Sequence, residues 1–189
     1  MSALPADLGD ALLRCARNAV AERLGLPASS SAVGGGVREQ LDRPGASFVT
    51  LTLDGRLRGC IGSLRPVTSL GRDVSHNAVA AAFDDPRFAP LTTVEFPRLR
   101  IEVSVLSAPQ PLAARDEAAA LAALRPGRDG VVLSEGRRRA TFLPQVWEEI
   151  PDAHDFLVAL RRKAGLPPDR WGPGTQLETY TVSSCQEPR

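Results

Sequence analysis

The sequence is poor in several residues that would stabilise or identify particular classes of protein. Its 189 residues include three cysteines, Cys15, Cys60 and Cys185, which are odd in number and widely spaced. That spacing argues against a disulfide framework and favours free thiols in a reducing compartment. No apolar run approaches the roughly 20 residues of a membrane span, and the first residues lack the basic and apolar regions of a signal peptide. We therefore expect a cytoplasmic protein without a membrane segment.

An excess of charge of one sign is also missing. The single Lys163 and 22 arginines are offset by 22 acidic residues, so the formal net charge is +1. No overall field therefore attracts the chain to nucleic acid or to an anionic membrane. The basic clusters at 137–139 and 160–163 are typical of solvated faces, and aromatic residues are too few to favour stacking on bases. We do not expect nucleic-acid binding.

Patterns that hold metals or phosphates are absent as well. There is no Cys-x-x-Cys or His-x-x-x-His pair, and His76 and His154 are far from each other and from the cysteines. The glycines at 34–36 have no lysine and no helix opening behind them in the way a phosphate loop requires. The sequence therefore predicts no metal site and no cofactor.

What is present indicates an ordinary globular chain. The hydrophobic share of 43% and the charged share of 24% are typical of such proteins. The length suits one domain, or two small subdomains that share a core. We expect a single domain over residues 1–184, with two closely associated subdomains, and a flexible tail over residues 185–189 in which Cys185 is incidental.

Hydrophobic periodicity predicts an α+β fold, in which a largely antiparallel or mixed sheet built from hairpins carries flanking helices. A helix is predicted at 7–24 with Asp7 as its cap, and residues 27–46 are predicted to be a surface loop. A second helix is predicted at 69–82, with His76 outward and an inward face formed by Val74, Asn77, Ala78 and Ala81. The further predicted elements are a short helix from Thr93, a strand at 99–107, a helix from Asp116, a hairpin at 129–144, a helix at 154–166 and a strand at 177–182.

The clearest local pattern surrounds Cys60. Two β-prone runs flank Asp54-Gly55, a dipeptide typical of tight hairpin turns, and the second run is "RLRGCIGSL". Gly59 and Gly62 beside the thiol predict either a bulge or a close approach of another group to the backbone. Cys60 is therefore a candidate nucleophile or thiol ligand, and Arg58 would share its face on a regular strand. The alternative is a small buried side chain with glycines that serve a bulge.

Several motifs in order resemble the AMMECR-type domain family, whose bacterial and archaeal members are also called AmmeMemoRadiSam system protein A. They are "FVTL…GRLRGCIGSL", "AAFDDPRFAPLT", "IEVSVLS", "DGVVL" followed by "ATFLPQVW", and "FLVALRRKAGL". The resemblance implies a larger and a smaller subdomain that meet at a cleft lined by "RGCIG". It also implies Memo-like and radical-SAM proteins as partners. The activity of the family is unsettled, so whether the protein is an enzyme stays open.

Four further residues complete the candidate site. Asp85 and Arg87 of "DDPRF" would hold a carboxylate or phosphate, or else fasten their own loop as an ion pair. Asn77 and Glu102 are polar positions on elements that otherwise pack, so they would bond each other or line a pocket. The candidate ligand-binding set is Arg58, Gly59, Gly62, Asn77, Asp85, Arg87 and Glu102.

Two hypotheses follow for the function. In the first, the cleft binds a small anionic or peptidic ligand and Cys60 assists catalysis as a thiol, while Arg58 and the glycine backbone stabilise charge. In the second, the protein is a non-catalytic adaptor that supports a Memo-like or radical-SAM partner through the same cleft. Fast alkylation of Cys60 favours the first hypothesis, and an exposed apolar patch beside an inert Cys60 favours the second.

Overall fold

Two separate sheets, each with its own hydrophobic core, organise the chain in the computed structural model. The structure describes residues 2–29 and 34–188. The chain divides into a larger unit, Ser2–Leu106 with Ser183–Arg189, and a smaller unit, Ser107–Val182. In chain order the elements are β1 (Ser2–Ala3), α1 (Ala6–Arg23), α2 (Gly35–Asp42), β2 (Pro44–Leu53), β3 (Arg56–Gly62), β4 (Thr68–Ser69), α3 (Leu70–Phe83), a 3-10 helix (Phe96–Arg98), β5 (Leu99–Leu106), β6 (Gln110–Leu112), α4 (Glu117–Ala123), β7 (Gly130–Glu135), β8 (Arg138–Phe142), α5 (Val146–Glu149), α6 (Ala153–Lys163), β9 (Gln176–Tyr180) and β10 (Val182–Gln186).

The larger sheet is mixed, as predicted. Its strand order is β1-β10-β5-β2-β3, with β4 paired to the start of β2. Strands β5, β2 and β3 are antiparallel to their neighbours, whereas β1 and β10 are parallel. Apolar side chains of α1, α3, β2 and β5 form one core on the helix side of this sheet. The predicted α+β fold class is confirmed.

Helix α3 carries the inward face that its periodicity predicts. Val74, Asn77, Ala78 and Ala81 are buried, and His76 is exposed. Small side chains on this face let the helix approach the sheet closely, because alanine adds little bulk beyond the backbone.

The first predicted helix, α1, is confirmed with one difference. Asp7 lies in the first turn of α1, and Pro5 occupies the cap position.

Two local predictions are wrong, the surface loop at 27–46 and the tail at 185–189. The loop predicted at 27–46 contains α2 and the start of β2, because Val37 and Leu41, one helical turn apart, pack against the core. Residues 30–33 of that stretch lie outside the described residues. The short helix predicted from Thr93 is the 3-10 helix Phe96–Arg98.

The predicted tail is also wrong for its described part. Cys185 and Gln186 belong to β10, inside the larger sheet. Glu187 follows the strand, and its carboxylate accepts hydrogen bonds from Arg17 and from the backbone N–H of Ile101. Backbone pairing and a half-buried ion pair therefore order this segment, although its polar composition alone is typical of a free chain end.

The smaller unit has a four-stranded antiparallel sheet in the order β6-β9-β7-β8. The hairpin predicted to turn near Glu135-Gly136 is confirmed, with Gly136 at a φ of 59°. Asp116 caps α4 by accepting the backbone N–H of Ala119, as predicted. In the core, Trp147 stacks on Phe156 with ring centroids 3.7 Å apart.

Among the described residues, no helix is both long and apolar enough to cross a lipid bilayer.

Candidate functional site: the sheet face that carries Cys60

The hairpin that presents Cys60 forms as its sequence predicts, with one irregularity that the pattern did not locate. Asp54 and Gly55 adopt φ values of 51° and 79°, which suit a tight two-residue turn. Leu51 opposes Gly59 and Thr52 opposes Leu57, so Arg58 is the extra residue of a β-bulge. The strand is therefore not regular at this point, so the condition under which Arg58 was expected to share the face of Cys60 is not met.

The two glycines that flank Cys60 are required by packing on opposite faces of the sheet. A Cβ on Gly59 would lie 2.0 Å from the backbone oxygen of Ala81 in α3, and one on Gly62 would lie 2.3 Å from Cγ of Phe48. The space that each glycine leaves is thus filled by the protein itself. The prediction of a close backbone approach is confirmed, but the approaching group is a helix at Gly59 and an aromatic ring at Gly62.

Cys60 lies in a line of side chains that crosses three strands. Thr50 of β2 directly opposes Cys60, and Glu102 of β5 directly opposes Thr50. Directly opposed residues of antiparallel strands share one face, so these three side chains form what we call the Cys60 row. All three are half-buried. The Thr50 hydroxyl donates a hydrogen bond to the Cys60 sulfur over 3.4 Å, which orients the sulfur on this face.

Asp85 and Arg87 bind the backbone of Cys60 rather than its side chain. Asp85 accepts the Cys60 N–H at 2.9 Å, and Arg87 donates to the Cys60 carbonyl at 3.3 Å. Because β3 is the outer strand of the sheet, Asp85 and Arg87 take the place of a further strand and bind the backbone N–H and carbonyl groups of Cys60. The interpretation of "DDPRF" as an ion pair that fastens its own loop therefore agrees with the contacts.

The charges of Asp85 and Arg87 largely neutralise each other. The Arg87 side chain forms two hydrogen bonds to Asp85, and these, with the backbone N–H groups of Cys60 and Arg87, hold the pKa of Asp85 well below its usual range. Asp85 in turn raises the pKa of Arg87, and a negative charge on Cys60 contributes to the same rise. Arg87 therefore places a cation beside the backbone of Cys60.

Arg58 is held by a carboxylate that the sequence did not indicate. Its guanidinium donates to both oxygens of Glu95, at 2.9 and 3.2 Å, and lies over the ring of Phe88. Arg58, followed by the backbone and hydroxyl of Thr92, lowers the pKa of Glu95 to about 2. Arg58 is therefore paired with Glu95 through two of its nitrogens, and its third, Nη1, has no hydrogen-bond partner among the described residues.

Asn77 is not part of the Cys60 face. It is buried on the helix side, where its amide lies 3.0 Å from the Ser47 backbone oxygen and 3.0 Å from the Asp73 carboxylate. Asp73 also accepts the hydroxyls of Ser47 and Ser63. This group, the Asp73 network, is satisfied internally, so the prediction that Asn77 binds Glu102 or lines a ligand pocket is wrong.

The other two cysteines differ from Cys60 in their surroundings. Burial raises the pKa of Cys185 to about 11 and also raises the pKa of Cys15. Cys185 packs on α1, where its sulfur lies 3.5 Å from the backbone oxygen of Gly9. Neither thiol is favoured as a nucleophile, because the thiolate is the reactive form.

One group of side chains in the smaller unit could reach a common metal ion. Asp152, His154 and Asp155 lie close together at the start of α6, and all three are exposed. Asp152 is already the cap of the helix and accepts the backbone N–H groups of His154 and Asp155. Capping explains this grouping without an ion.

Sequence reasoning missed three residues that decide how the predicted site residues are held. Thr50 is one of several polar residues in an alternating strand, so the pattern does not single it out. Only the register of the hairpin shows that it lies opposite Cys60. Glu95 binds Arg58 across 37 residues, a separation that no local pattern reveals. For Asp73, a signal was available, because it lies one helical turn before Asn77 on the predicted inward face of α3.

Comparison with known proteins gives a consistent match over most of the chain. A sequence profile of the AMMECR1 family matches residues 13–185. Protein NEQ441 of Nanoarchaeum equitans is 37% identical over 154 residues, which are 80% of this chain and 86% of that protein. A protein of Methanothermobacter thermautotrophicus is 40% identical over 142 residues, or 74% of each chain. The crystal structure of the uncharacterized protein PH0010 from Pyrococcus horikoshii superposes with a TM-score of 0.80 at 32% identity, covering 97% of this chain and 93% of that one.

Proposed function

The chain belongs to the AMMECR1 family, and we propose that its larger unit binds a small peptidic ligand on the Cys60 face, with the Cys60 sulfur as the atom that contacts or attacks the ligand. The observation that carries this proposal is the Cys60 row. A half-buried thiol, a hydroxyl bonded to it and a carboxylate stand side by side on three neighbouring strands. Solvent access is retained, so a ligand has a route to the sulfur.

The surroundings support a reactive rather than a structural thiol in two ways. Asp85 and Arg87 fix the backbone of Cys60 from outside the sheet, which limits its freedom. The Arg87 guanidinium donates to the Cys60 carbonyl at 3.3 Å, which brings a cation close to the residue that carries the sulfur. A cationic neighbour and a fixed geometry are what a nucleophilic cysteine requires.

The contacts favour a peptidic ligand over a plain anion. Arg58 and Arg87, the two arginines predicted to hold an anion, are each engaged by a carboxylate through two hydrogen bonds. An incoming anion would compete with Glu95 and Asp85 for these arginines, and both carboxylates have lowered pKa values and stay ionised at neutral pH. A peptide offers both donors and acceptors to the row without breaking either pair.

The alkylation rate of Cys60 tests the proposal. In a variant with Cys15→Ala and Cys185→Ser, Cys60 should react with iodoacetamide at pH 7 at least about tenfold faster than an unhindered thiol of ordinary pKa, near 8.5. Arg87→Gln should slow the reaction several-fold, because the cation beside the sulfur is lost. A wild-type rate below that of the free thiol, unchanged by Arg87→Gln, would mean that Cys60 is structural.

A second candidate, the adaptor, is favoured by exposed apolar side chains next to the Arg58–Glu95 pair. Leu57 is 46% exposed and precedes Arg58, while Val94 is 79% exposed and precedes Glu95. Exposed apolar residues that cluster are typical of partner surfaces. The family resemblance suggests a Memo-like or radical-SAM protein as the partner. If Leu57→Asp abolishes binding to such a purified partner while Cys60→Ser does not, the adaptor is the better account.

A further inference from the structure

The two basic clusters of the smaller unit, far apart in sequence, come together along one seam of the fold. Arg138 of β8 donates to the backbone oxygen of Gly165, just beyond α6. Lys163 of α6 donates to the backbone oxygen of Thr141 in β8 at 3.0 Å. Lys163 also lies over the ring of Phe142, 4.9 Å from its centroid. These contacts fasten the end of α6 to the outer strand of the smaller sheet and hold two cations in fixed positions.

Four cations make up this surface, which we call the seam cluster: Arg137, Arg138, Arg162 and Lys163. All four are exposed, and none forms an ion pair with a residue that the structure describes. The two bound carbonyls carry no net charge, and the negative end of α6 offsets only about half an elementary charge. Arg139 is left out of the cluster because Glu178 pairs with it at 3.1 Å. Positive charge therefore stays uncompensated along the seam.

Strand register brings Glu135 to the seam, but its carboxylate is engaged elsewhere. Glu135 directly opposes Arg138 across the hairpin. It accepts the hydroxyl of Thr175 at 2.8 Å and lies 4.0 Å from Arg170. Its charge is thus directed to the loop before β9, and the cations of the seam cluster keep theirs for a group from outside.

The small extent of the seam cluster favours a short acidic segment over a nucleic acid. At a rise of about 1.5 Å per residue, α6 separates the cluster by about 15 Å from exposed carboxylates at its other end, Asp152 and Asp155. A duplex carries phosphates far beyond four cations, and a chain with a net charge of +1 offers no field to hold them. A few neighbouring carboxylates on a peptide match the cluster without extending past it.

We propose that the seam cluster is an interaction surface for a partner protein, and that it binds a short segment of that partner rich in aspartate or glutamate. The carboxylates would accept charge-assisted hydrogen bonds from the guanidinium and ammonium groups. Arg138 and Lys163 are already held in place, so they lose less side-chain freedom when the segment binds. The proposal does not depend on the function of Cys60, because all four cations belong to the smaller unit.

Binding of a fluorescein-labelled oligoglutamate peptide to the full chain, measured by fluorescence anisotropy, tests the proposal. We expect binding at about 50 mM salt that weakens about tenfold by about 200 mM, because salt screens exposed charges. Arg137→Gln combined with Arg162→Gln should weaken binding about five- to tenfold, and it should fold normally because neither side chain bonds to a described residue. The matched control, Arg56→Gln with Arg65→Gln, removes two exposed arginines of the larger unit that form no ion pair among the described residues, and should change affinity less than about twofold.

The outcomes distinguish this surface from a general effect of charge. Absence of peptide binding at low salt would overturn the proposal, as would an equal loss of affinity in the two double variants. Tighter binding of a labelled DNA duplex than of the peptide, lost in Arg137→Gln with Arg162→Gln, would assign the seam cluster to nucleic acid instead. Cys60→Ser should bind the peptide as the wild type does, so failure of the proposed thiol site would leave this surface in place.

Discussion

On the helix-covered face of the larger sheet, buried polar side chains bind one another, whereas on the Cys60 face the Glu102 carboxylate forms no hydrogen bond or ion pair within the part of the chain that the structure describes. Asp73 on the first face accepts from Ser47, Ser63 and Asn77. Glu102, on the opposite face of the same sheet, is only partly buried and keeps contact with solvent. Buried polar groups are normally satisfied, so the first face serves the fold, whereas a partly exposed carboxylate on the second face does not need a protein partner.

The two glycines beside Cys60 give the sharpest test of this difference. Gly59→Ala should destabilise the protein by about 3 kcal/mol or more, because its Cβ meets the backbone of α3, which cannot move alone. Gly62→Ala, on the Cys60 face, should cost about 1–2 kcal/mol, since the Phe48 ring can turn aside. Urea unfolding measures both. Gly36→Ala, where nothing lies within 4 Å, serves as the control without a clash; because Gly36 lies in α2, this change should leave stability unchanged or raise it by up to about 1 kcal/mol. Equal losses at Gly59 and Gly62 would contradict the comparison.

The Asp73 network should show the next largest effect. Asp73→Ala leaves hydroxyl and amide donors without their acceptor in a buried site and should cost about 2–3 kcal/mol in thermal or urea unfolding. Asp73→Asn keeps an acceptor oxygen and should cost about 1 kcal/mol or less. Glu102→Gln, on the other face, should change stability by less than about 0.5 kcal/mol. A large loss for Glu102→Gln would mean that it has a structural partner.

The smallest effect is expected at Glu95, and it depends on pH. Because Arg58 lowers the pKa of Glu95 to about 2, the folded state binds this proton less readily than the unfolded chain does. The resulting stability is present above about pH 4.3 and is lost as pH falls toward 2. Glu95→Gln should cost about 1–2 kcal/mol at pH 7 and flatten that acid dependence. An unchanged profile from pH 5 to 2.5, measured against Glu22→Gln, would show that the Arg58–Glu95 pair contributes nothing.

Local chemistry explains which parts of the fold could be predicted. The Asp54-Gly55 turn, the inward face of α3 and the cap at Asp116 depend on residues within a few positions of each other, and all three form as expected. The helix at 35–42 and the strand at 182–186 were missed, because each is stabilised by packing or pairing with distant elements. Tertiary contacts override weak local propensity in both.

By itself, the sequence determined the family, the fold class and the position of Cys60 in a hairpin, since these rest on ordered motifs and on the periods of helices and strands. Only the tertiary structure decided what surrounds the sulfur. A bulge at Arg58 turns that arginine toward Glu95, and strand register, which has no local signature, brings Thr50 and Glu102 into line with Cys60. The Arg58–Glu95 contact, 37 positions apart, and the pairing of Thr50 with Glu102 depend on the closing of the whole sheet, and no short pattern carries them.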